Sequence, residues 1–299
     1  MPANIREIKG RMKAVGNIER ITKTMQLIAS ARFQAMQKKA TQSQAYTEKI
    51  GEMVGELAAA LAAGGDISHP LIAPPDKPAG KELVLVLTSE RGLCGAYNGN
   101  VMRKALGYIR EKQGLDKTQL EVVGKKGQAF CKFNGLDVAQ NYSFGDSPAY
   151  EDVVKLAETY MDDFTAGRYD AVKLVYMKFV SMSRQTPTVQ TLLPLEPPKA
   201  DAGDATSSGG EGTQAVYEFS PDAETLLGEL LPVTVKTSLY QAFMDAVVSE
   251  QLARMVAMKA ATDAAGKQGK SLKRQFNRAR QTAITTELSE IIGGAAALE

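Results

Sequence analysis

Residues 5–28 read IREIKGRMKAVGNIERITKTMQLI, and this stretch sets the architecture of the chain. Its apolar side chains recur at every third or fourth position, and the segment continues without a proline to about Ala62. A helix of about 60 residues is about 90 Å long, and an amphipathic helix of that length cannot bury its own apolar stripe. The pattern therefore predicts a coiled coil with a second long helix. The stripe consists of Ile5, Ile8, Met12, Val15, Ile18, Ile21, Met25 and Ile28.

The other end of the chain supplies a candidate for the second helix. Residues 233–299 contain no proline and carry a similar stripe that includes Leu239, Phe243, Val247 and Ala257. Two long helices at opposite ends, with a compact segment between them, predict an antiparallel pair that carries a separate domain. The predicted divisions are an N-terminal helix and linker at 1–76, a head domain at 77–195, a mobile polar loop at 196–215, a return segment at 216–231 and a C-terminal helix at 232–299.

The middle of the chain alternates strand and helix patterns. Continuous apolar runs such as ELVLVL at 82–87 are typical of buried parallel strands. Amphipathic segments such as residues 149–167 separate these runs. The predicted fold class is therefore an α/β head domain plus a long antiparallel α-helical coiled coil formed by the N- and C-terminal helices. Strands are expected within 82–89, 120–124, 169–181 and 187–195, and helices within 101–114, 128–133 and 149–167.

Composition excludes several classes of protein. The hydrophobic fraction of 44% and the charged fraction of 23% are ordinary for a globular chain. No apolar run approaches the roughly 18 residues that a membrane span needs, and the N-terminal residues show no apolar signal core. Two cysteines, Cys94 and Cys131, are too few for a disulfide framework. We expect no direct membrane insertion and free thiols in a reducing compartment.

The net charge of +2 conceals a strong segregation of charge. Residues 1–40 hold nine Lys or Arg against two acids, and residues 267–280 hold six basic residues and no acid. Basic helices suit acidic protein partners or nucleic acid. The alternative is that these basic residues bind no partner and simply form a solvated helix face. The basic runs contain only Phe33 and Phe276 as aromatic residues, and no helix-turn-helix or zinc motif is present. We therefore expect no nucleic acid among the partners.

No pattern in the chain predicts a catalytic site. Residues 264–271, AAGKQGKS, approximate a phosphate-binding loop, but the loop's first glycine is Ala264 and no strand precedes the segment. Cys94 lies in a strand-to-helix turn. A cysteine nucleophile needs a base nearby, and the only histidine in the sequence, His69, is about 25 residues earlier. We expect no catalytic residue, no metal site and no cofactor.

Four stretches resemble the gamma subunit of F-type ATP synthases. They are residues 5–33, the turn TSERGLCGAYNGNV at 88–101, residues 238–266, and ARQTAITTELSEIIGGAAAL at 279–298. The resemblance covers essentially the whole chain in order and spacing. It implies the central rotor shaft of a proton-translocating ATP synthase, a subunit without a catalytic site of its own. The alternative from pattern alone is a structural coiled-coil or nucleic-acid-binding scaffold with a basic rod.

The resemblance also implies partners and a location. The coiled coil would stand inside an alpha3-beta3 catalytic ring, and the head domain would rest with the epsilon subunit on the membrane c-ring. Turning of the shaft would couple proton flow to ATP synthesis or hydrolysis on the beta subunits. Since no transit-peptide pattern is present, a bacterial source is favoured. The implied place is peripheral, on the cytoplasmic face of the bacterial cell membrane.

Contact residues follow from the same resemblance. Lys23 and Met25 match positions near acidic loops of beta, and residues 291–298 match the apolar tip of the shaft. The positions that hydrogen-bond to beta are matched further along the C-terminal helix. Foot contacts with epsilon and the membrane rotor are implied for Tyr217, Phe219 and Ser220, although Ser220 replaces a frequent acid. The ring-facing set is Lys23, Met25, Arg254, Arg280, Gln281, Thr285, Ile291 and Leu298.

We expect the purified chain neither to hydrolyse ATP nor to bind it tightly, because its only phosphate-loop-like segment falls in a helical tract. Calorimetric titration with ATP checks this expectation. Binding in the micromolar range that is lost in Lys270→Ala would contradict it.

Overall fold

The computed structural model describes residues 5–62, 69–72, 78–111, 117–195 and 223–296. Two long helices, α1 (Ile5–Ala62) and α5 (Ala223–Ala296), flank the remaining elements. The predicted loop at 196–215 lies outside the described residues. The elements between the long helices are β1 (Glu82–Leu87), α2 (Tyr97–Glu111), β2 (Thr118–Val123), α3 (Lys125–Phe133), β3 (Gln140–Tyr142), α4 (Tyr150–Thr165), β4 (Ala171–Phe179) and β5 (Gln185–Leu193).

The strands form one sheet in the order β3-β2-β1-β4-β5. β1 pairs in parallel with both β2 and β4, and β3 pairs in parallel with β2. β5 runs antiparallel to β4 at the other edge. Five of the six residues of β1 are buried, which is why this central strand reads as a continuous apolar run. The predicted α/β class is confirmed.

The chain divides into two compact units. Unit 1 comprises Met1–Ala31, Leu93–Gly95 and Ala253–Glu299, and unit 2 comprises Arg32–Gly92 and Ala96–Leu252. Helices α1 and α5 each contribute a segment to both units. The divisions predicted at 76/77 and 231/232 stay predictions.

The core of unit 2 combines the sheet with parts of both long helices. Its members include Leu83 and Leu85 of β1, which have no exposed surface. Ile50, Val54 and Leu57 of α1 join the same cluster. Burial of each such side chain contributes roughly 1.5–3 kcal/mol, so the α/β domain depends on the long helices for its own stability. The members from α5 are Leu227, Leu231, Val235, Leu239, Ala242, Phe243 and Ala246.

Helix α5 begins at Ala223, ahead of the predicted start at Pro232, which lies inside the helix. Proline usually marks a helix start, because it has no N–H to donate to the carbonyl four residues earlier. Here Leu227 and Leu231, which both precede Pro232, are only 3% and 1% exposed. Their packing holds the first turns in place.

The connection from β2 into the first turn of α3 requires glycine at two positions. Gly124 has φ +94°, and a Cβ there would lie 2.5 Å from the carbonyl oxygen of Thr88. A Cβ on Gly127 would lie 2.5 Å from Thr88 Oγ1. That hydroxyl donates to the carbonyl of Val123 at 2.6 Å and accepts the N–H of Gly127 at 2.9 Å. The close approach joins the ends of β1 and β2 to the start of α3.

A buried carboxyl group connects α5 to β4. Asp245 is 7% exposed, and its Oδ1 accepts a hydrogen bond from Gln241 Nε2 at 2.9 Å. Burial raises the pKa of Asp245 to about 6, although the Gln241 bond, the charge of Lys178 and the N–H of Phe179 act in the opposite direction. The carboxylate form is therefore less favourable in the folded protein than in the unfolded chain.

We expect Asp245→Asn to stabilise the protein more at pH 8 than at pH 5. The pKa of Asp245 is higher in the folded state, so ionisation costs stability as pH rises from about 4 through 6. The full cost is on the order of 3 kcal/mol. Thermal unfolding at the two pH values measures the difference. Asp263→Asn, at an exposed position on the same helix, is the matched control, and equal shifts in both variants would contradict the expectation.

No helix in the described ranges combines the length and the apolar character that a membrane crossing requires.

Candidate partner-binding surface on the paired helices

In unit 1 the two long helices run antiparallel. Thr262 Oγ1 donates to Thr22 Oγ1 at 2.8 Å. Further along α5, a Cβ on Gly266 would lie 3.3 Å from Glu19 Oε1, and one on Gly269 would lie 3.9 Å from Val15 Cγ1. Residue numbers thus fall along α1 as they rise along α5. The predicted antiparallel pairing is confirmed.

The seam between the helices has a small apolar core. Ile8 and Val15 of α1 are buried against Ala265 and Leu272 of α5. The segment that resembles a phosphate loop is helical, and Gly266 and Gly269 within it face side chains of α1. Backbone N–H groups inside a helix are engaged with carbonyls and cannot surround a phosphate. Met12, Phe276 and Ala279 pack at the margin of the seam.

A second apolar stripe on α1 does not face α5. Ile18, Ile21 and Ile28 are 51%, 55% and 50% exposed. Ile21 and Ile28 line an open groove on this face of α1 together with Met25. The prediction that one continuous stripe from Ile5 to Ile28 packs on the partner helix was therefore wrong in its second half.

The end of α5 is uncovered in the described part of the chain. Every residue of the segment 281–294 is exposed. Ile284, Leu288, Ile291 and Ile292 are 56–64% exposed, and their spacing of four, three and one places them on one helix face. This stripe is the second apolar surface in unit 1 that the chain leaves open to solvent.

The ring-facing residues lie along unit 1 rather than in one pocket. Lys23 is exposed and Met25 is half-buried, and both lie beside the Thr22–Thr262 contact. Arg254 is half-buried and Arg280 is exposed. These two arginines are 26 positions apart in the sequence, which corresponds to about 39 Å of helix.

Three other predicted residues fall on the uncovered end of α5. Gln281, Thr285 and Ile291 are all exposed. Thr285 Oγ1 donates to the backbone carbonyl of Gln281 at 3.0 Å. Four predicted contact residues lie outside the described residues: Tyr217, Phe219, Ser220 and Leu298.

Sequence reasoning did not single out the Thr22–Thr262 pair or the stripe residues Ile284 and Leu288 as site residues. The stripe was readable, because Ile284, Leu288 and Ile291 recur at helical spacing. The threonine pair left no comparable signal, since its partners are 240 positions apart.

Residues of the kind that catalysis needs are engaged elsewhere. His69 Nδ1 accepts the N–H of Leu71 at 3.2 Å within its own loop. Cys94 and Cys131 are both buried, and burial raises the pKa of the Cys131 thiol. In the ranges that the structure describes, no group of three or more His, Cys, Asp or Glu side chains could hold a metal ion.

Fold and surface together define a class: an α/β domain and an antiparallel helix pair with exposed apolar and basic faces. Comparison with known proteins identifies the family. The family model described as ATP synthase matches residues 4–298. The ATP synthase gamma chain of Rhodopirellula baltica is 44% identical over 299 residues, covering 99% of each chain. The gamma chain of Pelotomaculum thermopropionicum is 36% identical over 300 residues, covering 100% of each. This chain belongs to the ATP synthase gamma chain family.

Solved structures share the fold. A chain of the Euglena gracilis mitochondrial ATP synthase OSCP/F1/c-ring structure has a TM-score of 0.65 at 18% identity, with 98% of this chain and 94% of that chain covered. A chain of the Tetrahymena thermophila mitochondrial central stalk/c-ring structure has a TM-score of 0.56 at 19% identity, with 81% and 99% covered. At these identities the likeness is one of fold.

We expect a polar substitution to destabilise the chain at a buried apolar residue of α5 and to have little effect at an exposed one. Leu272→Ser should destabilise the isolated chain by about 2–5 kcal/mol, because Leu272 is 7% exposed in the seam. Ile284→Ser should change stability by less than about 0.5 kcal/mol, because Ile284 is 57% exposed. Thermal unfolding followed by circular dichroism compares the two, and a comparable loss in both would show that Ile284 is buried by this chain itself.

Proposed function

We propose that this chain is the central rotor shaft of a proton-translocating F-type ATP synthase. In this role it has no catalytic site of its own, and it couples turning of the membrane rotor to ATP synthesis or hydrolysis on the beta subunits. The observation that carries the proposal is the uncovered end of α5, where every residue of 281–294 is exposed. A helix end with exposed isoleucine and leucine is unfavourable in water, and a surrounding ring of subunits would cover it.

The proposed partners are an alpha3-beta3 catalytic ring around the helix pair, and the epsilon subunit with the membrane c-ring at the α/β domain. The names of the solved relatives, central stalk/c-ring and OSCP/F1/c-ring, describe assemblies of this kind in other organisms. The proposed place is the cytoplasmic face of the bacterial cell membrane, as a peripheral part of the complex.

Along the shaft we assign two kinds of contact. Apolar residues at the end of α5, including Ile291 and Leu298, would turn within an apolar collar of the ring, because apolar contact is non-directional. Polar residues that precede this end of α5 would form hydrogen bonds with the beta subunit. An arginine can hold a carboxylate with two parallel hydrogen bonds, which suits Arg254 and Arg280. Gln281 and Thr285 add amide and hydroxyl groups, and Lys23 and Met25 would meet acidic loops of beta from α1.

The mechanism follows from rigidity and asymmetry. A shaft whose faces differ presents a different surface to each of three surrounding catalytic subunits. Each subunit then favours the conformation with the best contacts, and turning the shaft exchanges these conformations. Nucleotide affinity changes at a distance from the contact, which is allostery in the thermodynamic sense. Tyr217, Phe219 and Ser220 would contribute to the foot that receives the torque.

We expect Arg280→Ala to lower ATP synthesis by the reassembled complex several-fold without changing the helix content of the isolated chain. The Arg280 side chain is exposed, so its removal costs this fold little. A charge-assisted hydrogen bond to beta is worth about 1.5–3 kcal/mol. Circular dichroism and ATP synthesis in vesicles are the measurements.

Lys155→Ala is the matched control, because Lys155 is an exposed basic residue on α4. It should leave synthesis unchanged. Normal synthesis by Arg280→Ala would mean that the contact has been assigned to the wrong residue.

A further inference from the structure

Within unit 2, α1 is attached to the α/β domain at a second place besides its apolar core. Arg32 Nη1 donates to Asp146 Oδ2 in a salt bridge. One residue further, Phe33 is 4% exposed, and its ring meets that of Phe179 edge to face with centroids 6.1 Å apart. Ser147 Oγ also lies 3.9 Å from Met36 Sδ. We call this set the α1 clamp; its members are Arg32, Phe33, Met36, Arg91, Asp146, Ser147 and Phe179.

The clamp residues outside α1 lie at the carboxyl ends of three strands of the sheet. Asp146 and Ser147 follow β3, Arg91 follows β1, and Phe179 ends β4. These three strands are parallel, so their carboxyl ends share an edge. Arg91 Nη1 also lies 3.6 Å from Asp146 Oδ2. One carboxylate therefore faces two arginines and links α1 to the loops at the edge of the sheet.

The clamp is far enough along α1 from the apolar core to help fix the direction of the helix. The apolar attachment of α1 to the core begins at Ile50, 18 residues after Arg32, which corresponds to about 27 Å of helix. Between them, in residues 37–49, Ala40 is the only buried residue. A helix held over a single short segment can tilt about it, whereas two attachments separated by this distance fix its direction.

We propose that the α1 clamp is the positioning contact through which the α/β domain imposes its rotation on α1. The inference rests on the proposed rotor function. Asp146 is the central residue, because its charge balances two arginines that would otherwise repel each other. With the clamp weakened, α1 bends relative to the domain under load, and the shaft transmits less torque to the catalytic subunits. The chain still folds, because the apolar core is untouched.

The test uses the complete complex in vesicles with Asp146→Asn and Arg32→Met. We expect ATP synthesis and ATP-driven proton pumping to fall about fivefold, while ATP hydrolysis measured with an uncoupler present, when the rotor turns without load, changes less than about twofold. Arg32→Lys keeps the charge and should restore most of the pumping. Glu52→Gln is the matched control, because it removes an exposed ion pair with Lys49 on the same helix and should have no effect.

The outcomes separate the two proposals. A wild-type complex that shows no coupled pumping overturns the rotor function and the clamp with it. Coupled wild-type pumping with Asp146→Asn equal to Glu52→Gln overturns the clamp alone. Parallel loss of hydrolysis and pumping in Asp146→Asn also overturns it, because a purely structural defect lowers both together.

Discussion

A helix as long as α1 or α5 cannot bury apolar side chains against itself, and the rest of this structure depends on that constraint. The two helices are 58 and 74 residues long, and their buried residues fall into separate clusters along each helix. Each is therefore buried in pieces. Ile50 and Leu57 of α1 enter the core of the α/β domain, Val15 packs in the helix seam, and Ile21 remains exposed.

Most of the fold could be predicted from the sequence because its strongest signals are local. The apolar run of β1 and the periodicity of the long helices each report burial directly. β3 was not predicted, since Gln140–Tyr142 is a short, mostly exposed edge strand. Contacts remote in sequence hold it: the Tyr142 hydroxyl donates to Glu121 Oε2 at 3.1 Å, and the Tyr160 hydroxyl donates to the same oxygen at 2.7 Å. Hydrogen bonds of this kind do not produce a periodic pattern in the amino-acid sequence.

The candidate surface was only partly predictable for a related reason. Periodicity indicates that a helix face must be covered, but it does not indicate whether the cover comes from the same chain. Val15 and Ile21 belong to one pattern in the sequence, yet one is 8% exposed and the other 55%. Gly266 and Gly269 were ambiguous in the same way, and only their contacts with α1 show that they serve helix packing. The assignments of Arg280 and Gln281 rest on resemblance, since exposure alone does not distinguish a contact residue from a solvated one.

The proposed rotor needs contacts that allow sliding and contacts that prevent it. In this chain the first kind is apolar and the second kind is directional. Where parts must slide, as at Ile284 and Ile291, the exposed side chains are apolar, and dispersion and hydrophobic contact do not favour any one angle strongly. Where parts must not move relative to each other, the contacts are directional: the salt bridge of Arg32 with Asp146 fixes a geometry that an apolar patch would leave free. A directional bond at the uncovered end of α5 would resist turning, and an apolar contact alone at the clamp would let α1 slip. The same side chains exchanged between the two places would make a stable protein but a poor shaft.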